Sequence, residues 1–397
     1  MVVAGEPSGD LLAAELVEDI RREFAAAPPS NTNDLQPLTT SLEPRFFGAG
    51  GPLMASAGVE LAFDLTQHSV TGLSAVVRKI LTFQKLIQRL YRLALQREPD
   101  VMICVDFGAF NGQLAHRVRN YLRRKVGWFH DWRPRIVQFV SPQVWGSRPW
   151  RAQRIAEDYD LVLSIIPFEK AWYAKRAPNL RLEFVGHPIL DRYKPGSMAT
   201  AQSADNKLVL LLPGSRRGEL KHHLPVMIEA FSILQRTTPD LRAQIILPNE
   251  SLADLVKTLG LAGNVPVQVG GLGHALAGAA VAIASTGTVT LECAFFRVPT
   301  VAMYKTSWFT YQIGKSLAQV RFMAMPNLLA NEDVFPEFIQ DAATPEALAR
   351  SATGLLINSE RRNQMKQKLA EIIPMLGATG ATRRAAKAIV QLMGSSR

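Results

Sequence analysis

Two short stretches of the chain hold residue types suited to gripping phosphate. The first reads Leu208-Val-Leu-Leu-Leu-Pro-Gly-Ser-Arg-Arg-Gly-Glu219, and a helical pattern follows it from about Leu224. An uninterrupted apolar run is what a strand buried on both faces looks like. The turn after it, leading into a helix, should present free backbone N–H groups and the positive end of the helix dipole. Gly214 would let the backbone approach a ligand, and Arg216 and Arg217 would add fixed positive charge. The second stretch is Ala284-Ser-Thr-Gly-Thr-Val-Thr-Leu-Glu292. It reads as a strand end, then a turn in which Ser285, Thr286, Gly287 and Thr288 offer hydroxyls and N–H groups, then a helix. Glu292, one helical turn inside, is placed to accept from a ribose hydroxyl. Taken singly, each stretch also fits an ordinary capped helix with solvated polar side chains.

A third candidate is Asp106, which ends the apolar run Val101-Met-Ile-Cys-Val105. The carboxyl ends of strands are where open α/β sheets place ligand-facing residues. The same aspartate also suits a simple turn cap. The dinucleotide Gly-x-Gly-x-x-Gly spacing is missing from the first turn, and there is no Walker A lysine loop, no Gly-x-Ser-x-Gly elbow and no Cys/His cluster at metal-ligand spacing. Two anion-friendly turns in the second half and a carboxylate in the first point to transfer from a nucleotide sugar. The diphosphate would be held by arginine and helix ends, and a first-half carboxylate would take the proton of the attacking hydroxyl.

Positioning these residues calls for strands, glycine or proline turns and helices in strict alternation. The chain shows that rhythm from Met1 to Pro188 and again from Leu208. It predicts two doubly wound parallel α/β domains facing across a cleft, at residues 1–190 and 207–375, joined by a polar Pro/Gly/Ser-rich linker after Tyr193. Residues 376–397 read as a C-terminal helix that packs back on the first domain or on a partner subunit. Residues 25–44 read as a polar surface loop. The first strand is short, so the natural chain is expected to begin somewhat earlier. Cys104 and Cys293 lie in apolar runs far apart, as buried small side chains rather than a disulfide, which fits a reducing cytoplasm. His222 and His223 read as a solvated pair. The net charge of +11 calls for an anionic partner. Much of it lies between Gln67 and Arg97, which hold six cations and no Asp or Glu. There Arg78, Lys85, Arg89 and Arg92 border a wide apolar face at helical spacing, preceded by the apolar 70–77. This reads either as a core helix with a basic outer face or as a segment resting on an anionic membrane. No motif supports a specific nucleic-acid role.

Gly5-Glu-Pro-Ser-Gly-Asp10, Gly48-Ala-Gly-Gly-Pro52, Val140-Ser-Pro-Gln-Val-Trp145, Pro167-Phe-Glu-Lys170, Phe184-Val-Gly-His187, Leu212-Pro-Gly-Ser-Arg216, Ser285-Thr-Gly-Thr288 and Met325-Pro-Asn-Leu-Leu-Ala330 occur in this order over nearly the whole chain. Together they resemble the lipid-A-disaccharide synthase family. The resemblance implies a two-Rossmann-domain (GT-B) inverting glycosyltransferase that needs no metal or other cofactor. Its substrates would be UDP-2,3-diacylglucosamine and 2,3-diacylglucosamine 1-phosphate, and its products a β-1,6 tetraacyl disaccharide 1-phosphate and UDP. The enzyme would sit peripherally on the cytoplasmic face of the inner membrane, with a homo-oligomer open. The runner-up readings are a UDP-N-acetylglucosamine 2-epimerase acting on a soluble sugar and a lipid-binding relative without catalysis. By resemblance, Glu6, Ser8 and Asp10 face the acceptor, with Asn111, Ser141, Glu169 and His187 also lining the substrate site. Gly214, Ser215, Arg216, Ser285, Thr286, Gly287, Thr288, Glu292 and Asn327 line the UDP side. The family commonly carries a second aspartate where this chain has Ala109, so the candidate bases here are Asp106 and Asp10.

Overall fold

The computed structural model describes residues 1–26, 43–68, 76–125, 131–193 and 207–394. Most of the expected 25–44 loop, the apolar 70–75 and the linker after Tyr193 lie outside the described residues. The chain divides into two compact units. One holds the residues up to Pro188, except Trp145–Ser147, together with the C-terminal helix; the other holds Trp145–Ser147 and Ile189–Gly377.

The first unit is built on strands β1 (Val2–Ala4), β2 (Phe47–Gly50), β3 (Glu60–Asp64), β4 (Val101–Val105), β5 (Arg135–Phe139), β6 (Leu161–Ser164) and β7 (Leu182–Phe184), all parallel, in the order β3-β2-β1-β4-β5-β6-β7. Its helices are α1 (Pro7–Ala26), α2 (Pro52–Ser56), α3 (Val76–Arg97), α4 (Gly108–Arg124), α5 (Arg151–Asp158) and α6 (Glu169–Ala174). Parallel neighbours need a crossover helix, so the helices cover both faces and both faces are apolar. One face packs Ile87, Leu90, Leu114 and Val118 against Met102, Cys104 and Ile136. The other packs Leu16, Val17 and Ile20 against Val2, Ile103 and Phe139.

The second unit has β8 (Leu208–Leu212), β9 (Arg242–Leu247), β10 (Val267–Val269), β11 (Val281–Ser285), β12 (Thr300–Tyr304) and β13 (Glu337–Ile339), again all parallel, in the order β10-β9-β8-β11-β12-β13. Around them lie α7 (Ile189–Arg192), α8 (Arg217–Thr237), α9 (Glu250–Thr258), α10 (Leu272–Ala277), α11 (Thr288–Phe295), α12 (Trp308–Leu317), α13 (Met325–Ala330), α14 (Pro345–Ile357) and α15 (Ser359–Ile372). The last helix, α16 (Ala381–Gly394), belongs to the first unit. Its Ala385, Ile389 and Leu392 stripe is buried with α1, Thr382 Oγ1 donates to Asp19 Oδ2 at 2.7 Å, and Arg384 Nε donates to the Val185 carbonyl at 2.8 Å. Burying Ile389 and Leu392 stabilises that return by about 1.5–3 kcal/mol each.

In each unit the chain reverses its direction across the sheet at one place. From β1 it steps outward through β2 and β3, and from β4 it steps the opposite way; β8 and β11 do the same in the second unit. β1 pairs with β4 (Ala4 opposite Val105), and β8 pairs with β11 (Leu212 opposite Ala284). The loops leaving such a strand pair diverge, and the crevice at their carboxyl ends is where open α/β sheets bind ligands.

Candidate active site

In the second unit both phosphate-type turns fall at this reversal point. Residues 213–216 leave β8, and Thr286 and Gly287 leave β11, the adjacent strand. The donors of the first turn are already engaged. Glu219 Oε2 accepts from the backbone N–H groups of Ser215 (3.1 Å) and Arg216 (3.3 Å), and Oε1 lies 3.4 Å from the Arg216 guanidinium. This is the glutamate half of a capping box: Arg216 is the N-cap residue, Glu219 at the third helical position reaches back to its N–H, and the guanidinium, a donor only, cannot return the bond. The expectation of free N–H groups there is therefore corrected: a carboxylate from the same helix occupies two of them. It also supplies the reason for glycine at 214, where φ is +110° and an added Cβ would lie 2.3 Å from Glu219 Oε2. What the turn holds out to solvent is Ser215 and the Arg216 side chain, 71% exposed.

The β11 turn is tied down differently. Thr286 N–H donates to the Met303 carbonyl at 3.0 Å, and Ser285 is buried in the sheet. Thr290 Oγ1 donates to the Gly287 carbonyl (2.6 Å) and accepts from Met325 N–H (3.2 Å), which joins the start of α11 to the start of α13. Thr288 is exposed at the first position of α11. Glu292, buried one turn in, takes both Arg192 Nη1 (3.0 Å) and the Tyr193 hydroxyl (3.2 Å) on Oε1. Burial pushes its carboxyl above the ordinary range, and Arg192 opposes that rise. Asn327 does not reach out as expected. It is fully buried; Oδ1 accepts from Val334 and Phe335 N–H, and Nδ2 donates to the Phe335 carbonyl and to Glu337.

His223 is buried rather than solvated. Nδ1 lies 2.8 Å from the Pro213 carbonyl, and Nε2 accepts from Lys305 N–H at 3.0 Å. Nε2 also lies 3.0 Å from the Lys305 carbonyl, but the Lys305 N–H needs an acceptor and the Pro213 carbonyl is the nearer of the two, so the proton is assigned to Nδ1 and the ring is neutral. The ring thus braces the phosphate turn against the end of β12. Burial holds the imidazole below its ordinary value, which is near 6.5. Between those two values the unfolded chain binds more protons, so His223 removes stability as the pH falls below about 6.5. His223→Gln can keep both contacts but does not titrate. Wild-type Tm minus variant Tm, followed by calorimetry, should decline as the pH falls from about 7 to about 5. A difference that is flat with pH would contradict the assignment.

In the first unit the reversal point lies between residues 5–6 and Asp106-Phe107. Asp106 and Phe107 both hold left-handed backbone, at φ 49° and 47°, a conformation that costs about 1–2 kcal/mol per L-residue. Packing holds it in place. The Phe107 ring stacks on Phe110 (5.2 Å between centroids), meets Phe83 of α3 edge-on (5.9 Å), and lies where a side chain at position 5 would stand. Asn111, buried, donates through Nδ2 to the Asp106 carbonyl at 2.9 Å. Asp106 is half-buried and Ala109 is exposed. Glu6 is half-buried, ahead of α1, and Ser8 is exposed in its first turn.

Asp10 has another task. It is buried in the first turn of α1, and its carboxylate caps α2 through the N–H groups of Gly51 (2.7 Å), Leu53 (3.0 Å) and Met54 (3.2 Å). A Cβ at Gly51 would lie 2.6 Å from Asp10 Oδ2, so the glycine there makes room for this carboxylate, whereas Gly48 makes room for the Val2 backbone of the neighbouring strand. A base with both oxygens bound by three N–H donors is poorly placed to take a proton, which corrects the assignment of Asp10. Glu169 is likewise internal, bound by the Ser164 hydroxyl; Ser141 and His187 are buried.

The core claims Ile87, Leu90 and Ala94 of α3, while Leu81 stays 60% exposed. Lys85, Arg89 and Arg92, with Arg117 of α4, line a groove of about 850 Å3. Arg89 is fixed there by the Ala62 carbonyl (2.9 Å) and the Phe63 ring (4.9 Å). Helix α3 is thus a core helix with a basic outer face: Ile87, Leu90 and Ala94 are buried, and Lys85, Arg89 and Arg92 lie on the surface.

The family model for lipid-A-disaccharide synthetase matches residues 1–391. This chain belongs to that family. A lipid-A-disaccharide synthase from Myxococcus xanthus is 34% identical over 405 residues, covering 100% of this chain and 98% of the relative. Among solved structures, S. aureus MnaA in complex with UDP covers 99% of this chain and 96% of its own, at TM-score 0.58 and 12% identity. The calicheamicin glycosyltransferase CalG4 covers 100% and 97%, at TM-score 0.55 and 14% identity. At these identities the structures speak to fold, and that fold is GT-B: two parallel-sheet α/β units. The lipid-A-disaccharide synthetase motifs named from the sequence divide by role in this structure. Those around Gly214 and Thr286 stand at the β8/β11 reversal, and the first in chain order begins at the β1/β4 reversal with Gly5 and Glu6, whereas Asp10, Glu169 and Asn327 bind the scaffold behind them.

Proposed function

We propose that this chain joins two acylated glucosamines. It would transfer the 2,3-diacylglucosaminyl group of UDP-2,3-diacylglucosamine to the 6-hydroxyl of 2,3-diacylglucosamine 1-phosphate, with inversion. The observation that carries this reading is the match, over the whole chain, to enzymes named for that product. On this reading the residues take the following roles. The exposed Arg216 side chain and the start of α11 would bring positive charge to the diphosphate at the β8/β11 reversal, and the Ser215 hydroxyl would donate to it. The acceptor oxygen attacks the anomeric carbon, its proton goes to the Asp106 carboxylate, and the bond to UDP breaks with the electron pair leaving on the diphosphate. Ala109 brings no acid or base to the acceptor side, and Asp10 is bound to the start of α2, which leaves Asp106 as the base this reading assigns.

The exposed cations of α3 suit an anionic membrane surface, and a peripheral position there fits substrates that are themselves lipids; the cytoplasmic face is carried over from the family resemblance. Among the described residues no helix is long and apolar enough to cross a membrane. The test is incubation with both acylated substrates in detergent. UDP and disaccharide phosphate should appear in equal amounts, and absence of both would overturn the reading. Turnover of UDP-N-acetylglucosamine in the absence of acylated substrates would point instead to an epimerase.

A further inference from the structure

Gln138 is out of place on sequence grounds. It sits in β5, Arg-Ile-Val-Gln-Phe, near the middle of the seven-stranded sheet, and has no exposed surface. Its Nε2 lies 3.0 Å from the Asp106 carbonyl and 3.1 Å from the Val140 carbonyl, with the Phe139 carbonyl further off at 3.4 Å. An amide nitrogen has two hydrogens, so one serves each of the two nearer acceptors. Those acceptors belong to two of the residues with left-handed backbone, Asp106 at φ 49° and Val140 at φ 66°. Left-handed φ is a marked outlier for a β-branched valine. The opposite face of the amide, Oε1, is buried with no partner. Turning the amide over would aim Oε1 at two carbonyls, so the orientation is fixed by its partners. An apolar side chain would fill the same place in the sheet without an unpaired acceptor. Sites where strained backbone is held by such contacts cluster at functional centres.

We propose that Gln138 is a positioning residue for the reaction: its amide clamps the ends of β4 and β5 in left-handed backbone and so sets where the Asp106 carboxylate stands. This rests on the reading of Asp106 as the proton acceptor. Asn111 holds the same carbonyl from the α4 side at 2.9 Å, so the Asp106 carbonyl has both lone pairs filled. The clamp acts on the backbone of Asp106. It therefore alters the direction of the carboxylate without touching the substrate, and it leaves the nucleotide turns of the other unit alone.

The experiment is a double-mutant cycle in the full-length protein with both acylated substrates, using Gln138→Met, which keeps the length of the side chain and removes the donors, and Asp106→Asn. Gln138→Met should lower kcat tenfold or more with KM for the UDP-sugar within about twofold, and the double variant should be no slower than Asp106→Asn alone. Losses that multiply in the double variant, or a Gln138→Met kcat within twofold of wild type beside a slow Asp106→Asn, overturn the clamp and leave Asp106 standing. An Asp106→Asn enzyme as fast as wild type overturns the Asp106 reading itself, and the clamp with it. If Gln138→Met does not fold, the cycle is run with Val140→Gly in every chain, because glycine adopts that φ unaided.

Discussion

Asp106→Asn should lower kcat by about 10²- to 10⁴-fold, the range a positioned general base supplies, equivalent to about 3–5 kcal/mol of barrier. Asparagine keeps the size of the side chain and its tolerance for left-handed backbone, so the turn at φ 49° should survive. The carbonyl bonds to Asn111 and Gln138 are made by the backbone and do not depend on the carboxylate. UDP affinity, read by calorimetric titration, should stay within about twofold, since the nucleotide turns belong to the other unit. A loss of kcat smaller than tenfold, about 1.4 kcal/mol, would remove Asp106 from the proton step. Asp10→Ala should give the opposite pattern. Three N–H donors at the start of α2 lose their acceptor, at about 1–3 kcal/mol of stability. The melting temperature should fall while kcat per folded molecule holds, and a variant slow but fully stable would return Asp10 to the list of candidate bases.

The contrast between these aspartates marks what the chain alone reveals. Apolar runs such as Leu208–Leu212 and Val101–Val105 show themselves as strands because both faces of a parallel sheet are covered. The turns that follow them are then placed by the winding of the fold. Edge strands are harder to see: Glu60–Asp64 has an acid at each end and no buried residue, and Glu337–Ile339 has only three residues. Side-chain partners depend on distance along the chain. Glu219 could have been read from its spacing, since a glutamate at the third helical position reaches back to the N-cap N–H three residues before it. Asp10 meets Gly51, 41 residues away, and His223 meets Lys305, 82 residues away. No local pattern encodes such pairs. The one signal available for His223 and Gln138 is a polar residue at a position whose helix or strand period faces the core, and such a residue must find partners there.

Asn327 is the case where motif and role part company, and its replacement should be felt in stability. Its amide makes four contacts, all between 2.8 and 3.1 Å, with Val334 N–H, Phe335 N–H, the Phe335 carbonyl and Glu337. Glu337 in turn accepts from Met323 and Ala324 N–H, both at 2.9 Å. The node therefore ties the start of α13 to β13 and seats Phe335, which is fully buried. Alanine at 327 would strand the N–H and the carbonyl of Phe335 in the interior and take a donor from Glu337, while Val334 N–H keeps the Glu332 carbonyl at 3.0 Å; each stranded group costs about 1–3 kcal/mol unless water reaches it. Water entry and relaxation bring the expected total to about 3–5 kcal/mol, at the upper end of single substitutions. For a unit of this size each kcal/mol moves Tm by about 2–4 °C, so the transition of this unit should fall by roughly 6–20 °C. Measured well below that transition, UDP affinity should be unchanged within about twofold, because the amide has no contact left to offer a ligand. If affinity instead falls tenfold at unchanged Tm, Asn327 reaches the nucleotide and the four internal contacts are not what keeps it in the motif.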